Sequence, residues 1–319
     1  MSTTGPAIGI DAGGTKIAAM LVGRDGTVLA GDVRRTPADD QQATLESMVG
    51  AARAVATPDV VGVGVAAAGM VDLGGVVRYA PNLAWREAPV AASVGAALAL
   101  PCVAENDANA AAWGEYRFGA GRGWRHMLMV SVGTGIGGGL VVDGRLYRGA
   151  HGFAAEIGHV VVEPGGPRCG CGNLGCWEQV ASGTALTREA RRAAARHAHS
   201  ELARLSSGDA ERVTGDMVMQ AARDGDPVST GIFVEVGHRL GVGIAGLVNV
   251  LDPEVVVVGG GVSEAGDLLL EPARDAFLRS VEAPGHRPEV PIVQAALGAD
   301  SAAIGAAALV FDRAGRTVG

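Results

Sequence analysis

One pattern occurs twice in this chain and limits what it can fold into. From Ala7 to Val22 (AIGIDAGGTKIAAMLV) an apolar run breaks at a glycine–threonine loop, resumes, and is followed by Asp25-Gly26, a tight hairpin signal. From Leu128 to Tyr147 (LMVSVGTGIGGGLVVDGRLY) the strand, the loop, the second strand and the Asp-Gly turn all recur. The two pieces read as an internal duplication of a β-hairpin unit. A third glycine loop, in PEVVVVGGGV from Pro253 to Val262, follows a continuous apolar run of the kind expected for a strand buried on both faces. Three loops able to bring backbone amides up to a ligand imply a nucleotide.

Helical patterns lie between the loops. One runs over 44–56 from a cap-like Thr44, an alanine-rich one begins at Asp107, and basic residues recur at helical spacing over 184–203. The apolar, small-residue stretch 231–250 predicts a buried helix, and 301–313 closes the chain with another. Strand signals stand at 60–66, 160–162 and 290–293. Strands followed by helices in two halves predict a two-domain α/β fold with two sheets and a central cleft. The boundary is expected in the glycine-rich run 119–123. That gives a small domain over 1–118 and a larger one over 119–299, with a final helix, 300–319, packing back on the first.

Three of the four cysteines fall within HVVVEPGGPRCGCGNLGCWEQ, where His159 precedes Cys169, Cys171 and Cys176 and glycines allow tight turns between them. A disulfide leaves one thiol over, strains an adjacent Cys-x-Cys pair and is disfavoured in a reducing compartment. The spacing reads as a tetrahedral Cys3His zinc knuckle, against which stands a reduced, metal-free loop. Four protein ligands leave no position for an activated water, so the metal is expected to be structural. Cys102 stands apart in an apolar context as a small buried side chain. Glu156 and Glu178 flank the knuckle. Either alone reads as a solvated charge; held on both sides of a rigid loop, they become candidates for gripping a polar ligand. His159 has a second ring nitrogen for a substrate hydroxyl or another acceptor.

Composition excludes several classes. The 319 residues carry 26 basic and 34 acidic side chains, a net charge of −8, which gives phosphate-backbone binding no support and makes a nucleic-acid partner an unlikely expectation. Aromatic residues make up 4%, too few for a base-stacking groove. The N-terminus has no secretory pattern and no segment offers eighteen uninterrupted apolar residues, so the expectation is a cytoplasmic protein without a membrane span. Gly133, Gly135 and Gly138 match a dinucleotide-binding spacing, but a strand rather than a helix follows them, so the match reads as chance. A P-loop and the protein-kinase motifs are absent from the sequence. What remains is a phosphate grip made by two hairpin loops, with backbone amides and the hydroxyls of Thr15 and Thr134 as donors. Asp107 stands where an apolar segment yields to a helix, a place that suits both an N-cap and a base. Lys16 reads equally as a phosphate clamp and as a solvent-facing edge residue.

Taken together, DAGGTK (11–16), ENDAN (105–109), GTGIGG (133–138), EIGH (156–159), CGCGNLGCWE (169–178) and GGGV (259–262) resemble the ROK family of repressors, uncharacterised reading frames and kinases, and within it the bacterial ATP-dependent glucokinases. The resemblance spans nearly the whole chain. It implies the actin/hexokinase-like (ribonuclease H-like) fold with a zinc-binding loop, glucose and Mg2+·ATP as substrates, and a homodimer or homotetramer. It implies that Asp11, Gly13, Gly14, Thr15, Lys16, Gly133, Thr134, Gly135 and Gly138 hold the phosphates, with Asp11 near Mg2+, and that Gly259, Gly260 and Gly261 lie by the adenosine. It implies that Asn82, Asn106, Asp107, Glu156, His159 and Glu178 grip the sugar, with Asp107 the catalytic base. N-acetylmannosamine, N-acetylglucosamine, fructose and allose remain alternative acceptors, and polyphosphate an alternative donor. A non-catalytic sugar sensor and a repressor are the rivals of another class; the latter is disfavoured by the acidic charge and by a first strand starting near Ala7.

Overall fold

The computed structural model describes residues 4–197 and 199–316. Strands β1 (Ala7–Ala12) and β2 (Lys16–Val22) form the first hairpin. β3 (Val28–Arg35) returns antiparallel through the Asp25-Gly26 turn, where Gly26 has φ 87° and the Thr27 amide donates to Asp25 Oδ1 at 3.0 Å. Helix α1 (Gln41–Val55) is capped by Asp40, which accepts from the amides of Gln42 and Ala43. Thr44, expected as the cap, is buried in the first turn with its hydroxyl on the carbonyls of Pro37 and Asp40. Next come β4 (Val63–Ala67), a small antiparallel sheet of β5 (Met70–Val71), β6 (Val77–Tyr79) and β7 (Arg86–Ala88), then α2 (Val90–Leu98), β8 (Cys102–Asn106) and α3 (Asp107–Phe118). The second hairpin is β9 (Met127–Val132) and β10 (Ile136–Val142), with β11 (Arg145–Tyr147) beside it. Beyond the cysteine loop lie α4 (Glu178–Ala181), α5 (Gly183–Arg196), α6 (Glu201–Leu205), α7 (Gly215–Arg223), α8 (Pro227–Leu251), β12 (Val255–Gly259), α9 (Asp267–Ser280), β13 (Ile292–Gln294) and α10 (Ser301–Arg316).

The duplication goes further than a hairpin. One sheet has the order β3-β2-β1-β4-β8 and the other β11-β10-β9-β12-β13. In each, a meander of three consecutive strands is extended on the side of its first strand by two later ones. The outer pairs β4–β8 and β12–β13 are parallel. Two expectations fail locally. Val160, Val161 and Val162 are exposed and form no strand, only a single bridge from Val161 to Cys176, because the metal-loop turns interrupt pairing. The helix over 184–203 breaks at His197 into α5 and α6, where Ser200 caps the second piece.

The chain packs as two compact units. The first runs to Met129, includes Gly139–Ala155 and resumes at Ala296; the second comprises Val130–Gly138 and Glu156–Ala295. This differs from a boundary at 118/119, for a physical reason. The glycine run at 119–123 is a pinned turn: Glu115 is fully buried, its carboxylate accepts from Ala120 N at 2.8 Å, and its carbonyl accepts from Gly119 and Gly121. The division instead cuts β9 and β10 partway along.

Close backbone approach holds the first unit together. A methyl group added to Gly9 of β1 would overlap the Ala303 carbonyl oxygen of α10; on Gly64 of β4 it would overlap that of Ala306. Gly305 of α10 likewise lies against the Ala110 carbonyl of α3. In the second unit, α8 is long and apolar enough to cross a membrane by length and composition, but its Gly237 and Gly241 seat it against the backbone of α9 at Leu269 and Ala273, as a core helix would be. Gly305→Ala is expected to destabilise the protein by about 2 kcal/mol or more, since the added methyl meets backbone that cannot move aside. Urea unfolding measures this, and a loss under about 0.5 kcal/mol would contradict the packing.

Candidate active site and metal cluster

In the first unit the site gathers at the end of β1 and the start of α3. The loop between β1 and β2 is turned by the Gly13 amide on the Lys16 carbonyl at 3.1 Å. Buried Thr36 clamps it from behind, its hydroxyl donating to the Gly13 carbonyl at 2.7 Å and its amide to the Thr15 carbonyl at 3.0 Å. Thr15 and Lys16 are exposed. Lys16 does not lie on a sheet edge, because β3, which sequence reasoning missed, covers that side of β2. Asn82, in an exposed turn, packs against Gly14, where an added methyl would sit 3.1 Å from Asn82 Cβ.

Asn106 and Asp107 divide two tasks. Asn106 is the N-cap of α3, its side-chain oxygen accepting from Asn109 N at 3.0 Å while its amide nitrogen donates to Gly69 O at 3.1 Å and Asp107 Oδ1 at 3.0 Å. Asp107, read from the sequence as suiting both a cap and a base, is the first helical residue, and its Oδ1 accepts also from Ala108 N at 2.9 Å. Burial pushes its carboxyl above the usual range, against the lowering effect of those amide donors. Beneath them, buried Glu105 pairs with Arg148 and accepts from Asn106 N and Asn109 Nδ2. Asp11 is pushed up to about 6, first by burial and then by the charge of Asp107, with Lys16 opposing and Asp300 adding to the shift. A buried carboxylate within the field of two others, with one lysine opposing them, suits a cation.

In the second unit, His159, Cys169, Cys171 and Cys176 offer ligand atoms that all lie within 4.8 Å of one another. Cys169 Sγ is 3.6 Å from His159 Nδ1, and Cys171 Sγ is 3.6 Å from Cys176 Sγ. Zinc with Zn–S ~2.3 Å and Zn–N ~2.0 Å at tetrahedral angles requires about 3.8 Å between sulfurs and about 3.5 Å from sulfur to nitrogen. The residues therefore fit that ion, with Nδ1 turned to it and Nε2 left on the other side of the ring. Without a metal, burial pushes the Cys169 thiol up to about 12, so thiolate formation there would rely on the ion displacing the proton. Glu178 lies against the cluster, Oε1 being 3.0 Å from Cys169 Sγ and 3.7 Å from His159 Nδ1. Glu156 is exposed at the start of the short helix Ile157–His159.

The second loop lies beside a cavity of about 1060 Å³ formed within this unit, lined by Gly133, Thr134, Gly183, Thr184, Thr187, Arg188, Arg191, Arg192, Ala195, Ala210, Glu211, Gly215, Asp216, Gly261 and Val262. Of the residues expected at the nucleotide, the structure brings Gly133, Thr134 and Gly261 to this one cavity. Gly260, at φ 82°, must be glycine: a methyl there would sit 2.5 Å from Val132 O. Gly138, expected in the phosphate loop, is instead buried inside β10, because the turn closes within three residues through Gly133 N to Gly135 O at 3.0 Å. The lining contributed by α5 and α7 was missed. Its one sequence signal was Ser182-Gly183 ahead of the basic helix.

A twice-built sheet with a glycine loop on each copy, carboxylates near one loop and a cavity of about 1060 Å³ beside the other, is an arrangement that suits phosphoryl transfer. The ROK family profile matches residues 7–313, and the chain belongs to that family. It is 42% identical over 309 residues to the glucokinase of Streptomyces coelicolor, the match covering 96% of this chain and 97% of that one. The crystal structure of a ROK family glucokinase from Streptomyces griseus in complex with glucose and AMPPNP resembles it at TM-score 0.88 and 42% identity, covering 96% of this chain and 99% of that one. The xylose repressor of Bacillus subtilis is 28% identical over 97% of this chain and 77% of its own length.

The raised value at Asp11 carries a stability consequence. Its carboxyl holds a proton more tightly folded (about 6) than at its usual 3.8, so the ionised group opposes folding. That penalty is absent below about pH 4, grows as pH rises towards 6, and is complete above it. Asp11→Asn is therefore expected to raise the urea midpoint at pH 7.5 in the absence of Mg2+ and nucleotide, with the gain closing at pH 4. An unchanged or lower midpoint at pH 7.5 would refute the assignment.

Proposed function

We propose that the chain is an ATP-dependent hexose kinase that transfers the γ-phosphoryl group of Mg2+·ATP to the 6-hydroxyl of D-glucose. The observation that carries the proposal is Asp107: a carboxylate relieved of capping by Asn106 and made a better proton acceptor by burial, which raises it above the ordinary carboxylate range. The near-full-length likeness to glucokinases supports glucose as acceptor and ATP as donor. Asn82, Asn106, Asp107, Glu156, His159 and Glu178 are assigned to the sugar hydroxyls, which suits their polar, directional side chains.

In this reading Asp107 takes the proton of the 6-hydroxyl as that oxygen bonds to the γ-phosphorus and the bond to the β-phosphate oxygen breaks, leaving ADP and sugar 6-phosphate. Mg2+, brought with ATP, supplies charge neutralisation for the phosphates, and Asp11 is the residue assigned to hold it. Thr15, Lys16 and the amides of the loops at Gly13–Thr15 and Gly133–Gly135 bind and align the triphosphate; little else is required of the protein in phosphoryl transfer. A single zinc at His159, Cys169, Cys171 and Cys176 is structural, since the protein fills all four positions. It fixes the loop that carries Glu178.

Asp107→Asn is expected to lower kcat by on the order of 10³-fold while glucose affinity changes far less. Steady-state kinetics with glucose titration tests this, and near-normal kcat would remove Asp107 from the base role. A coupled ADP-release assay over glucose, fructose, allose, N-acetylglucosamine and N-acetylmannosamine should show the highest kcat/KM with glucose; no turnover with any of them would refute the kinase reading. Cys171→Ser should lose bound zinc, thermal stability and sugar affinity together. Full metal content or unaltered affinity would separate the cluster from the sugar site.

A further inference from the structure

Helix α5 begins against the second glycine loop, and its first turn is bonded to that loop. Gly183 N donates to the Gly133 carbonyl at 2.8 Å; Thr184 donates to the Thr134 carbonyl from its amide at 3.3 Å and from its hydroxyl at 2.7 Å. A peptide unit is planar and trans, so its carbonyl and the following amide point in opposite directions. Holding the carbonyls of Gly133 and Thr134 towards α5 therefore turns the amides of Thr134 and Gly135 away from it. A methyl on Gly183 would sit 2.7 Å from Gly133 O and would break the seat. The first loop is held in the same way by an unrelated residue: Thr36, through hydroxyl and amide, binds the carbonyls of Gly13 and Thr15. A threonine clamp on loop carbonyls thus occurs in both repeats, from elements with no common place in them.

α5 is also tied to the metal cluster through a short, rigid path. From Cys176 the chain enters buried Trp177, whose amide donates to the Val160 carbonyl and whose indole donates to Arg239 O at 3.0 Å. Glu178 follows, beside Cys169 on one side and on the other occupying the space a side chain at Gly135 would need. One turn later buried Ser182 caps α5 through Ala185 N at 3.3 Å, and Gly183 and Thr184 come next.

We infer that Gly183 and Thr184 are positioning residues for the phosphate donor: they fix the carbonyls of Gly133 and Thr134 so that the loop amides stay aimed at an anionic triphosphate, and they pass to that loop the order imposed by the metal cluster. The inference rests on the donor reading of the loop given above. It adds that the metal cluster serves nucleotide binding as well as the sugar side.

Binding of Mg2+·AMPPNP by calorimetry tests it. Thr184→Val removes the hydroxyl and keeps the shape, and should weaken AMPPNP about 5- to 10-fold, the worth of one hydrogen bond, while glucose affinity stays within about twofold. Thr184→Ser keeps the hydroxyl and should restore wild-type binding. Unaltered AMPPNP binding by Thr184→Val, an equal loss of glucose binding, or no rescue by serine would overturn the inference. Failure of the wild-type protein to bind AMPPNP at all would instead overturn the donor reading. For the metal link, the coupling must be reciprocal. Saturating AMPPNP, with Mg2+ in excess, should raise at least about threefold the chelator concentration that half-releases zinc from the wild-type protein, and should do so less in Thr184→Val. The same release curve with and without nucleotide, or no zinc retained, overturns that link.

Discussion

The backbone contact of α10 with β1, β4 and α3 is the constraint on which the first unit's chemistry depends. Gly9, Gly64, Gly114 and Gly305 let main chain touch main chain at these crossings. β1 ends with Asp11 and Ala12, α3 begins with Asp107, and α10 starts just after Asp300. Asp107 and Asp300 are thus brought within the field of Asp11 by a helix that carries none of the proposed chemistry. Burial is the main cause of the raised value at Asp11, and the like charges of Asp107 and Asp300 add to it. A site poised to receive a cation is one whose ligands are less stable without it.

The second unit solves the opposite problem. Its glycine loop, between β9 and β10, carries no charged side chain of its own and is held also by the first turn of α5. The cysteine loop forms no regular strand: Val160, Val161, Val162 and Leu174 remain exposed, and two isolated bridges and a set of backbone turn bonds hold it. Small, poorly cored segments gain order from metal or disulfide staples. On the proposed reading one ion orders the sugar's carboxylate Glu178 directly and the donor loop through Ser182, Gly183 and Thr184, which makes a single closure serve both substrates.

Legibility from sequence followed the range of the interactions. Hairpins with Asp-Gly turns, the Cys3His spacing and the buried β12 run are set by neighbours in the chain, and were readable. Asp107 was placed as a possible cap because Asn106 and Asp107 are both cap-forming residues one position apart, and only the bonds from Asn109 N and Ala108 N show which one caps. β3 was missed because an edge strand with exposed, charged VLAGDVRR lacks apolar alternation, and α9 because Pro272 interrupts its pattern while packing against Gly237 of α8. The glycine run at 119–123 read as a linker until the buried carboxylate of Glu115 was seen to hold it together with Ala296 and Leu297. Thr184 could not be read at all as a loop clamp, since its acceptor is fifty residues earlier.

The duplication, finally, is exact in topology and broken in charge. Aligned on their loops, Asp11-Ala12-Gly13 stands opposite Ser131-Val132-Gly133 in the repeat, so the same strand position carries a desolvated carboxylate in one copy and a neutral hydroxyl in the other. A triphosphate needs a counter-cation at its reacting end, and a carboxylate there secures the cation; a second buried carboxylate along the same polyanion would repel it with no cation to offset the cost. The clamp, by contrast, costs no charge and is kept in both copies by different threonines. What the repeat preserves is a glycine loop held by its carbonyls, and what it lets diverge is the charge at the end of the first strand.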